Sequence, residues 1–251
     1  WHAVGAGGTW SDDTSMALAI CDSYRGLGRI DTDDIRTRFL AWYRDDTYTC
    51  DGLFDIGNAT ARALIAGHGL SGERDNGNGS LMRTVPLAFF DVTDDEVRAV
   101  SAITHAHQTS TEACVRMAHV ARALVDGMSV GDAVAMGGLT QETTWLDQFW
   151  RICLHTYEAA LWCLANMSSY AECVLTAVNL GDDTDTTAAQ CCHSDLVALA
   201  FFAQQVFSGN LNVFINNFAV GCCSDTHTFD VGTNGQTFKF SFYDESRHTF
   251  R

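Results

Sequence analysis

The sequence is short of positive charge and of long apolar runs. It has one lysine, Lys239, and 15 Lys and Arg in total against 31 Asp and Glu, which gives a net charge of −16 over 251 residues. This balance argues against a nucleic-acid backbone or an acidic membrane surface as the main partner. No apolar run reaches the length that a bilayer-spanning helix needs. An anionic ligand would therefore have to be held by a cation, by helix N-termini and by a few local donors.

Zinc-site spacing is also missing, although the chain has ten cysteines. The doublets at 191–192 and 222–223 are interpreted as disulfide partners or core residues, with metal binding the least favoured reading. Five other cysteines fall in helical patterns, where they are expected to be small buried apolar groups: Cys21, Cys114, Cys153, Cys163 and Cys173.

Two acidic turns stand out among the features that are present. Residues 181–187 read GDDTDTT and lie between an apolar run and a small-residue run that predicts a helix. Asp183 and Asp185 are two residues apart, so within a regular helix they would point about 200° from one another. They can converge only from an irregular turn that leads into a helix. Residues 11–13 read SDD, and three consecutive side chains can likewise share one centre only from a loop.

The two turns together indicate a site for a hard cation. Four carboxylates within about 4 Å of each other would repel by roughly 4 kcal/mol per pair at an effective dielectric constant of 20. Oxygen ligands without His or Cys favour Mg²⁺, Mn²⁺ or Ca²⁺ over zinc. The alternative for each turn taken alone is a helix N-cap cluster, in which Asp and Thr satisfy free backbone N–H groups.

A glycine-rich segment and a histidine complete the polar features. Residues 75–83 read DNGNGSLMR, in which Gly and Asn alternate before apolar residues that predict a helix with its N-terminus free to face an anion. An ordinary turn is the alternative. His105 lies near the end of a predicted helix over 94–106, where a capping or core role is the alternative to a ligand contact.

Helical periodicity covers most of the chain, and the C-terminal part differs. Apolar spacing predicts helices over 14–25, from Thr32, over 94–106, 110–127 and 149–167, and from Ala171. Residues 226–242 alternate around Asn234-Gly235, which predicts a β-hairpin. We therefore expect a helical domain over 1–204 and an appendage over 205–251.

Spaced blocks between residues 8 and 189 carry a family resemblance: GTWSDDTSMALA, FDIGNAT, NGNGSLMRTVPLAFF, THAH, EAALWCL and AVNLGDDTDTTAA. In this order they resemble the ADP-ribosylglycohydrolase family, which includes dinitrogenase reductase-activating glycohydrolases. The resemblance implies an all-α fold, to which the C-terminal β-hairpin would be an appendage. It also implies two Mg²⁺ ions, or Mn²⁺ in their place, in a cleft that binds ADP-ribose.

The resemblance also implies roles for individual residues. Carried over residue by residue, the metal ligands fall on Ser11, Asp12, Asp13, Asp183, Asp185 and Thr186. Contacts to the ADP-ribose fall on Asn78, Gly79, Ser80 and His105. An aspartate near the metals, either Asp12 or Asp183, would take the proton of the attacking water.

The implied function is a magnesium-dependent hydrolase that cleaves the glycosidic bond of ADP-ribose from a modified protein or a small conjugate. The bond could be an arginine N-glycoside, a serine O-glycoside or another linkage. The alternative is a catalytically silent structural or assembly protein on the same fold, since some lens crystallins resemble this family. A nucleotide enzyme of another kind is disfavoured because a GxxxxGK[ST] loop is absent.

Partners and compartment follow from the same features. We expect an ADP-ribosylated partner, and neither nucleic acid nor a membrane. The appendage could pair with another subunit through an edge strand, or pack on its own domain. The resemblance implies a cytoplasmic location, whereas the cysteine doublets, three Asn-x-Ser/Thr triplets and the lack of an initiator Met are compatible with secretion.

Overall fold

Helices dominate the part of the protein that can be described. The computed structural model describes residues 10–49, 52–53, 55–138, 152–181, 183–192, 228–233 and 236–241. The helices are α1 Asp12–Leu27, α2 Thr32–Asp45, α3 Asn58–Ala66, α4 Asp94–Ala102, α5 Gln108–Val125, α6 Val130–Met136, α7 Ile152–Asn166, α8 Tyr170–Val178 and α9 Thr184–Cys192. The predicted all-α fold is confirmed for the described residues between 10 and 192. None of these helices is both long and apolar enough to cross a membrane.

The first two helices begin and end where the sequence places their signals. Gly28 ends α1 in the left-handed conformation (φ 67°), and its N–H donates to the carbonyl of Tyr24. Asp31 caps α2, since its carboxylate accepts from the N–H groups of Asp33 and Asp34. These local signals fix the ends of the two helices, and α1 and α2 pack side by side.

Two helical predictions are wrong in detail. The helix expected after the glycine-rich segment is absent, and turns there lead into a 3₁₀ helix over Val85–Phe89. Pro86 explains this, because it has no N–H and its ring would clash with the carbonyl four residues earlier in an α-helix. In addition, α4 ends at Ala102 and not at residue 106, because His105 pairs with Leu70 in a short parallel bridge.

The core forms around α1, α2 and α5. Met16, Ile20, Phe39 and Trp42 are buried where α1 meets α2. Helix α5 packs on α4, α6, α7 and the 3₁₀ helix, while α9 packs on α7 and α8. The predicted burial of the five helical cysteines is confirmed for Cys21, Cys114, Cys153, Cys163 and Cys173. This core fixes the ends of α1 and α9 on which the acidic turns lie.

Two antiparallel strands, β1 Thr228–Thr233 and β2 Gln236–Ser241, lie within the predicted hairpin. Their register pairs Thr228 with Ser241 and Thr233 with Gln236. The expected turn at Asn234-Gly235 and most of 205–251 lie outside the described residues. The division of the chain at residue 204 therefore stays a prediction.

Gly69 should be intolerant of any side chain, because it brings two backbones together beside the Leu70–His105 bridge. A Cβ at Gly69 would lie 2.0 Å from the carbonyl oxygen of Ala102. We expect Gly69→Ala to lower the free energy of unfolding by about 2 to 3 kcal/mol, measured by urea denaturation. The matched control is Gly131→Ala in α6, where an added Cβ has no neighbour within 4 Å. Equal stabilities of the two variants would contradict the prediction.

Candidate functional site

The first acidic turn opens α1. Ser11 is the N-cap residue with an extended backbone, and Asp12 and Asp13 are the first two residues of the helix. This differs from the expected loop, so the two carboxylates diverge by about 100° around the helix axis. Both side chains are buried. Ser11 Oγ donates to Asp13 Oδ2 at 3.1 Å, which orients Asp13.

The second acidic turn leads into α9, as an irregular turn before a helix. Asp183 precedes the first residue of the helix, and its carbonyl accepts from the N–H and the hydroxyl of Thr187. Thr186 is buried within the first turn of α9. Asp182 and the side chain of Asp185 lie outside the described part of the structure. The predicted role of Asp185 as a metal ligand therefore stays a prediction.

The two turns meet at Asp13 and Asp183. The pKa of Asp13 is raised to about 7 by burial, by the nearby carboxylate of Asp183 and, to a smaller extent, by that of Asp55. The hydrogen bond from Ser11 opposes this rise without cancelling it. One oxygen of Asp13, Oδ1, is buried without a hydrogen-bond partner among the described residues. Asp13 and Asp183, which are 170 positions apart in the sequence, thus bring two carboxylates to the same site.

Asn78 connects the glycine-rich segment to this acidic pair. Its amide nitrogen donates to Asp183 Oδ2 at 2.8 Å and to Thr156 Oγ1 at 3.0 Å. Thr156 belongs to α7, so the amide group ties the segment to α7 and to the turn before α9. Asn78 was predicted to contact a ligand, and the structure shows its amide nitrogen bound within the protein.

Burial alternates along the glycine-rich segment. The side chains of Asn76, Asn78 and Ser80 point into the protein, whereas Gly77 and Gly79 are partly exposed. Ser80 Oγ accepts from the thiol of Cys114 in α5 at 3.4 Å. The backbone at the two glycines is therefore partly exposed, and backbone N–H groups in such segments are a common way to bind an anion.

His105 lies directly beneath the two glycines. A Cβ at Gly79 would lie 2.9 Å from His105 Cε1 and 2.7 Å from Thr60 Oγ1, and a Cβ at Gly77 would lie 3.3 Å from His105 Nε2. Only glycine allows the backbone this close to the imidazole ring. His105 is itself 1% exposed, so it supports the loop from below. Direct contacts of Ser80 and His105 with a ligand stay predictions.

Arg83 is a buried cation beneath the loop. Its guanidinium donates to the carbonyl of Gly79 at 2.7 Å and to Thr104 Oγ1 at 2.8 Å, and it lies 4.7 Å from the centre of the Phe39 ring. Burial lowers the pKa of Arg83 to about 10, and Asp12 opposes that shift. Arg83 therefore stays charged at neutral pH.

Thr104 connects Arg83 to His105 through its hydroxyl. The hydroxyl accepts from Arg83 and lies 2.8 Å from His105 Nδ1. This contact joins the buried guanidinium to the imidazole ring. Burial and the charge of Arg83 lower the pKa of His105 to about 3.

Asp55 belongs to the FDIGNAT block that leads into α3. The sequence alone leaves two roles open for it, lining the cleft or fixing the loop, and slightly favours the second. In the structure Asp55 is exposed, has a left-handed backbone (φ 56°), and contributes to raising the pKa of Asp13. The only signal in the sequence was its place in the FDIGNAT block.

The donor groups at the site fit a hard cation. The carboxylates of Asp13 and Asp183 and the hydroxyls of Ser11 and Thr186 are oxygen donors of the kind that Mg²⁺ and Mn²⁺ prefer. The unpartnered Oδ1 of Asp13 is a free acceptor in a negatively charged place. No group of three or more His, Cys, Asp or Glu close enough to hold a metal is found among the described side chains, which leave out those of Asp182 and Asp185.

Comparisons with known proteins define the class. The family model described as ADP-ribosylglycohydrolase matches residues 1–193. The chain therefore belongs to the ADP-ribosylglycohydrolase family. A solved structure described as "ADP-ribosylglycohydrolase-related protein complex" superposes with a TM-score of 0.62 at 27% identity, covering 85% of this chain and 80% of that chain.

Two curated relatives carry functional names. ADP-ribosylarginine hydrolase Tri1 of Pseudomonas putida (strain GB-1) is 31% identical over 211 residues, which cover 73% of this chain and 57% of the relative. ADP-ribosyl-[dinitrogen reductase] glycohydrolase of Rhodospirillum rubrum is 26% identical over 221 residues, which cover 75% of this chain and 71% of the relative. The matched part thus spans 57% of the length of the Pseudomonas relative.

The buried histidine predicts a specific dependence of stability on pH. Because the pKa of His105 is about 3 in the folded protein and about 6.5 when unfolded, the unfolded chain binds the extra proton as pH falls. Stability from this residue is present above pH 6.5 and is lost between pH 6.5 and 3. The loss amounts to about 1.4 kcal/mol per pH unit.

The measurement is urea unfolding at several pH values between 6.5 and 4. We expect His105→Asn to show a shallower decline in the free energy of unfolding than the unsubstituted protein. His68→Asn, at an exposed histidine, is the control for loss of an imidazole from the surface. Parallel declines for His105→Asn and the unsubstituted protein would show that His105 is not buried in its neutral form.

Proposed function

We propose that this protein is a magnesium-dependent hydrolase that cleaves the glycosidic bond of ADP-ribose from a modified protein. The observation that carries the proposal is that Asp13 and Asp183, which belong to two acidic turns from distant parts of the chain, lie close enough to interact electrostatically. The glycine-rich loop lies beside them, since Asn78 donates to Asp183. Membership of the ADP-ribosylglycohydrolase family supports the same function.

The cation site would use the oxygen donors of both turns. Two Mg²⁺ ions, or Mn²⁺ in their place, would be held by the six residues that the sequence predicts as ligands: Ser11, Asp12, Asp13, Asp183, Asp185 and Thr186. When bound, the ions would supply Lewis acidity and a template for the ribose hydroxyls and a water molecule. The acidic pair supports this assignment, because a cation would relieve the repulsion that raises the pKa of Asp13.

The chain's own residues would hold the loop and move one proton. In hydrolysis, the water oxygen bonds to the anomeric carbon, the bond from that carbon to the acceptor atom breaks, and the acceptor leaves with a proton. A carboxylate must take the proton of the water. Asp12 and Asp183 remain the two bases predicted from the sequence, and we add Asp55 because it is the exposed carboxylate next to Asp13.

The linkage we favour is the arginine N-glycoside. Its support is the name of the relative from Pseudomonas putida, an ADP-ribosylarginine hydrolase. The glycine-rich loop would hold the diphosphate through backbone N–H groups, since its polar side chains face the protein. None of the comparisons favours the alternative of a catalytically silent assembly protein.

Neutralising two carboxylates of the turn that leads into α9 should abolish both the binding of Mg²⁺ with ADP-ribose and the hydrolysis of the substrate. We expect Mg²⁺ with ADP-ribose at about 100 times its Kd to stabilise the protein by about 2.7 kcal/mol, which is roughly 5 to 10 °C in Tm. Asp183→Asn combined with Asp185→Asn should remove this shift and the release of ADP-ribose from ADP-ribosylarginine peptides. Thermal unfolding and product analysis measure the two effects.

The charge-matched control is Asp91→Asn combined with Asp95→Asn, at two exposed positions away from the site. It should keep both the shift and the turnover. If neither Mg²⁺ nor Mn²⁺ with ADP-ribose stabilised the unsubstituted protein, and no ADP-ribose were released from arginine or serine peptides, the proposed function would be wrong.

A further inference from the structure

Tyr48 lies in the connection that follows α2 and has an unusual backbone. Its φ of 68° is in the left-handed region, where bulky residues are rare. The non-glycine residues with positive φ in the described part of the chain are Asp46, Tyr48 and Asp55, all within this one connection. Such conformations persist only where surrounding contacts hold them, and they are concentrated at functional sites.

The backbone carbonyl of Tyr48 holds the start of α1. It accepts from Trp10 Nε1 at 2.9 Å and lies 3.1 Å from Ser15 Oγ. Ser15 Oγ is also 3.0 Å from the carbonyl of Ser11, so the hydroxyl sits between the two acceptors. Trp10 and Ser15 flank Ser11, Asp12 and Asp13 on both sides. The carbonyl of Tyr48 therefore contacts Trp10, which precedes the acidic turn, and Ser15, which follows it.

The phenol of Tyr48 is fixed at a second place on α1. It donates to Asp22 Oδ2 at 2.9 Å and accepts from Arg38 Nη1 at 2.9 Å. Arg38 also pairs with Asp22 and donates through Nε to Asp34 Oδ2 at 2.6 Å. Asp22 lies seven residues beyond Ser15, which is about 10 Å along the helix. One tyrosine thus spans two turns of α1 and ties them to α2.

We propose that Tyr48 is a positioning residue that sets the first turn of α1, and with it Asp12 and Asp13, for cation binding. The inference rests on the proposed function, since it assigns Tyr48 a role toward that cation site. The phenol clamp between Asp22 and Arg38 holds the left-handed backbone, and the left-handed backbone aims the carbonyl at Trp10 and Ser15. Loss of the clamp should loosen the acidic turn while α1 itself remains folded.

The test is the affinity for Mn²⁺, measured by isothermal titration calorimetry well below the Tm of each variant. Tyr48→Phe removes the hydrogen bonds of the phenol and keeps its ring. We expect its Kd for Mn²⁺ to rise about three- to tenfold, the size of effect that such hydrogen bonds produce. Tyr43→Phe, at a half-buried tyrosine of α2 that packs against the core, is the matched control and should bind as the unsubstituted protein does.

A second variant approaches the same contact from the other side. Trp10→Phe removes the indole N–H that donates to the carbonyl of Tyr48 and should weaken Mn²⁺ binding in the same direction. This keeps the inference testable if Tyr48→Phe does not fold. A purely structural role would lower Tm in both variants and leave the Kd for Mn²⁺ unchanged.

The outcomes separate this inference from the proposed function. Normal Mn²⁺ affinity in Tyr48→Phe and Trp10→Phe, with binding by the unsubstituted protein, would overturn the role of Tyr48 and leave the proposed function standing. An equal rise in the Kd for Mn²⁺ in Tyr48→Phe and Tyr43→Phe would also overturn the role of Tyr48, because the effect would then not be specific to the hydrogen bonds of its phenol. No Mn²⁺ binding by the unsubstituted protein would overturn both.

Discussion

Asp13 and Asp183 repel each other, and burial strengthens that repulsion because the medium screens it less. As a general scale, two unit charges about 4 Å apart repel by roughly 4 kcal/mol at an effective dielectric constant of 20. The N-termini of α1 and α9 offset this by about 0.3 to 1 kcal/mol each. Hydrogen bonds from Ser11 and Asn78 stabilise the charged forms further, yet the pKa of Asp13 still rises to about 7. The folded chain thus holds a negative charge that a proton or a metal cation can neutralise.

A buried positive charge lies on the other side of the glycine-rich loop. Burying a guanidinium is costly unless its donors are used, and Arg83 donates to Gly79 and Thr104 while its Nε has no partner among the described residues. The same cation holds the loop backbone in place through Gly79, and its charge adds to burial in lowering the pKa of His105, which keeps the imidazole neutral. Two hydrogen bonds of one residue therefore fix the loop from below, independently of the acidic pair. This explains how the loop stays in place beside charges that repel each other.

The sequence predicts most of the long helices, and it predicts the irregular turn before α9, because apolar spacing and clustered Asp and Thr are local signals. It misplaces the helix after residue 80, although Pro86 gives a local reason against it. It also treats Asp12 and Asp13 as loop residues, whereas a serine N-cap followed by two acidic residues is a typical helix start. Tyr48 could not be found in this way, because its left-handed backbone depends on Asp22, Arg38 and Trp10, which only the folded chain brings together.

The glycine-rich loop shows why residue types alone leave its use ambiguous. Asn78 and Ser80 have the groups that would bind a ligand, yet one holds Asp183 and the other faces Cys114. The loop can then offer a ligand mainly the backbone at Gly77 and Gly79, which are partly exposed. Backbone N–H groups carry no net charge, so they can face an anion next to Asp13 and Asp183 without neutralising those carboxylates. Under the proposed function, the acidic pair would bind the cation and the backbone of the loop would bind the anion. The two charges of the ligand and its metal would then be met by different parts of the site.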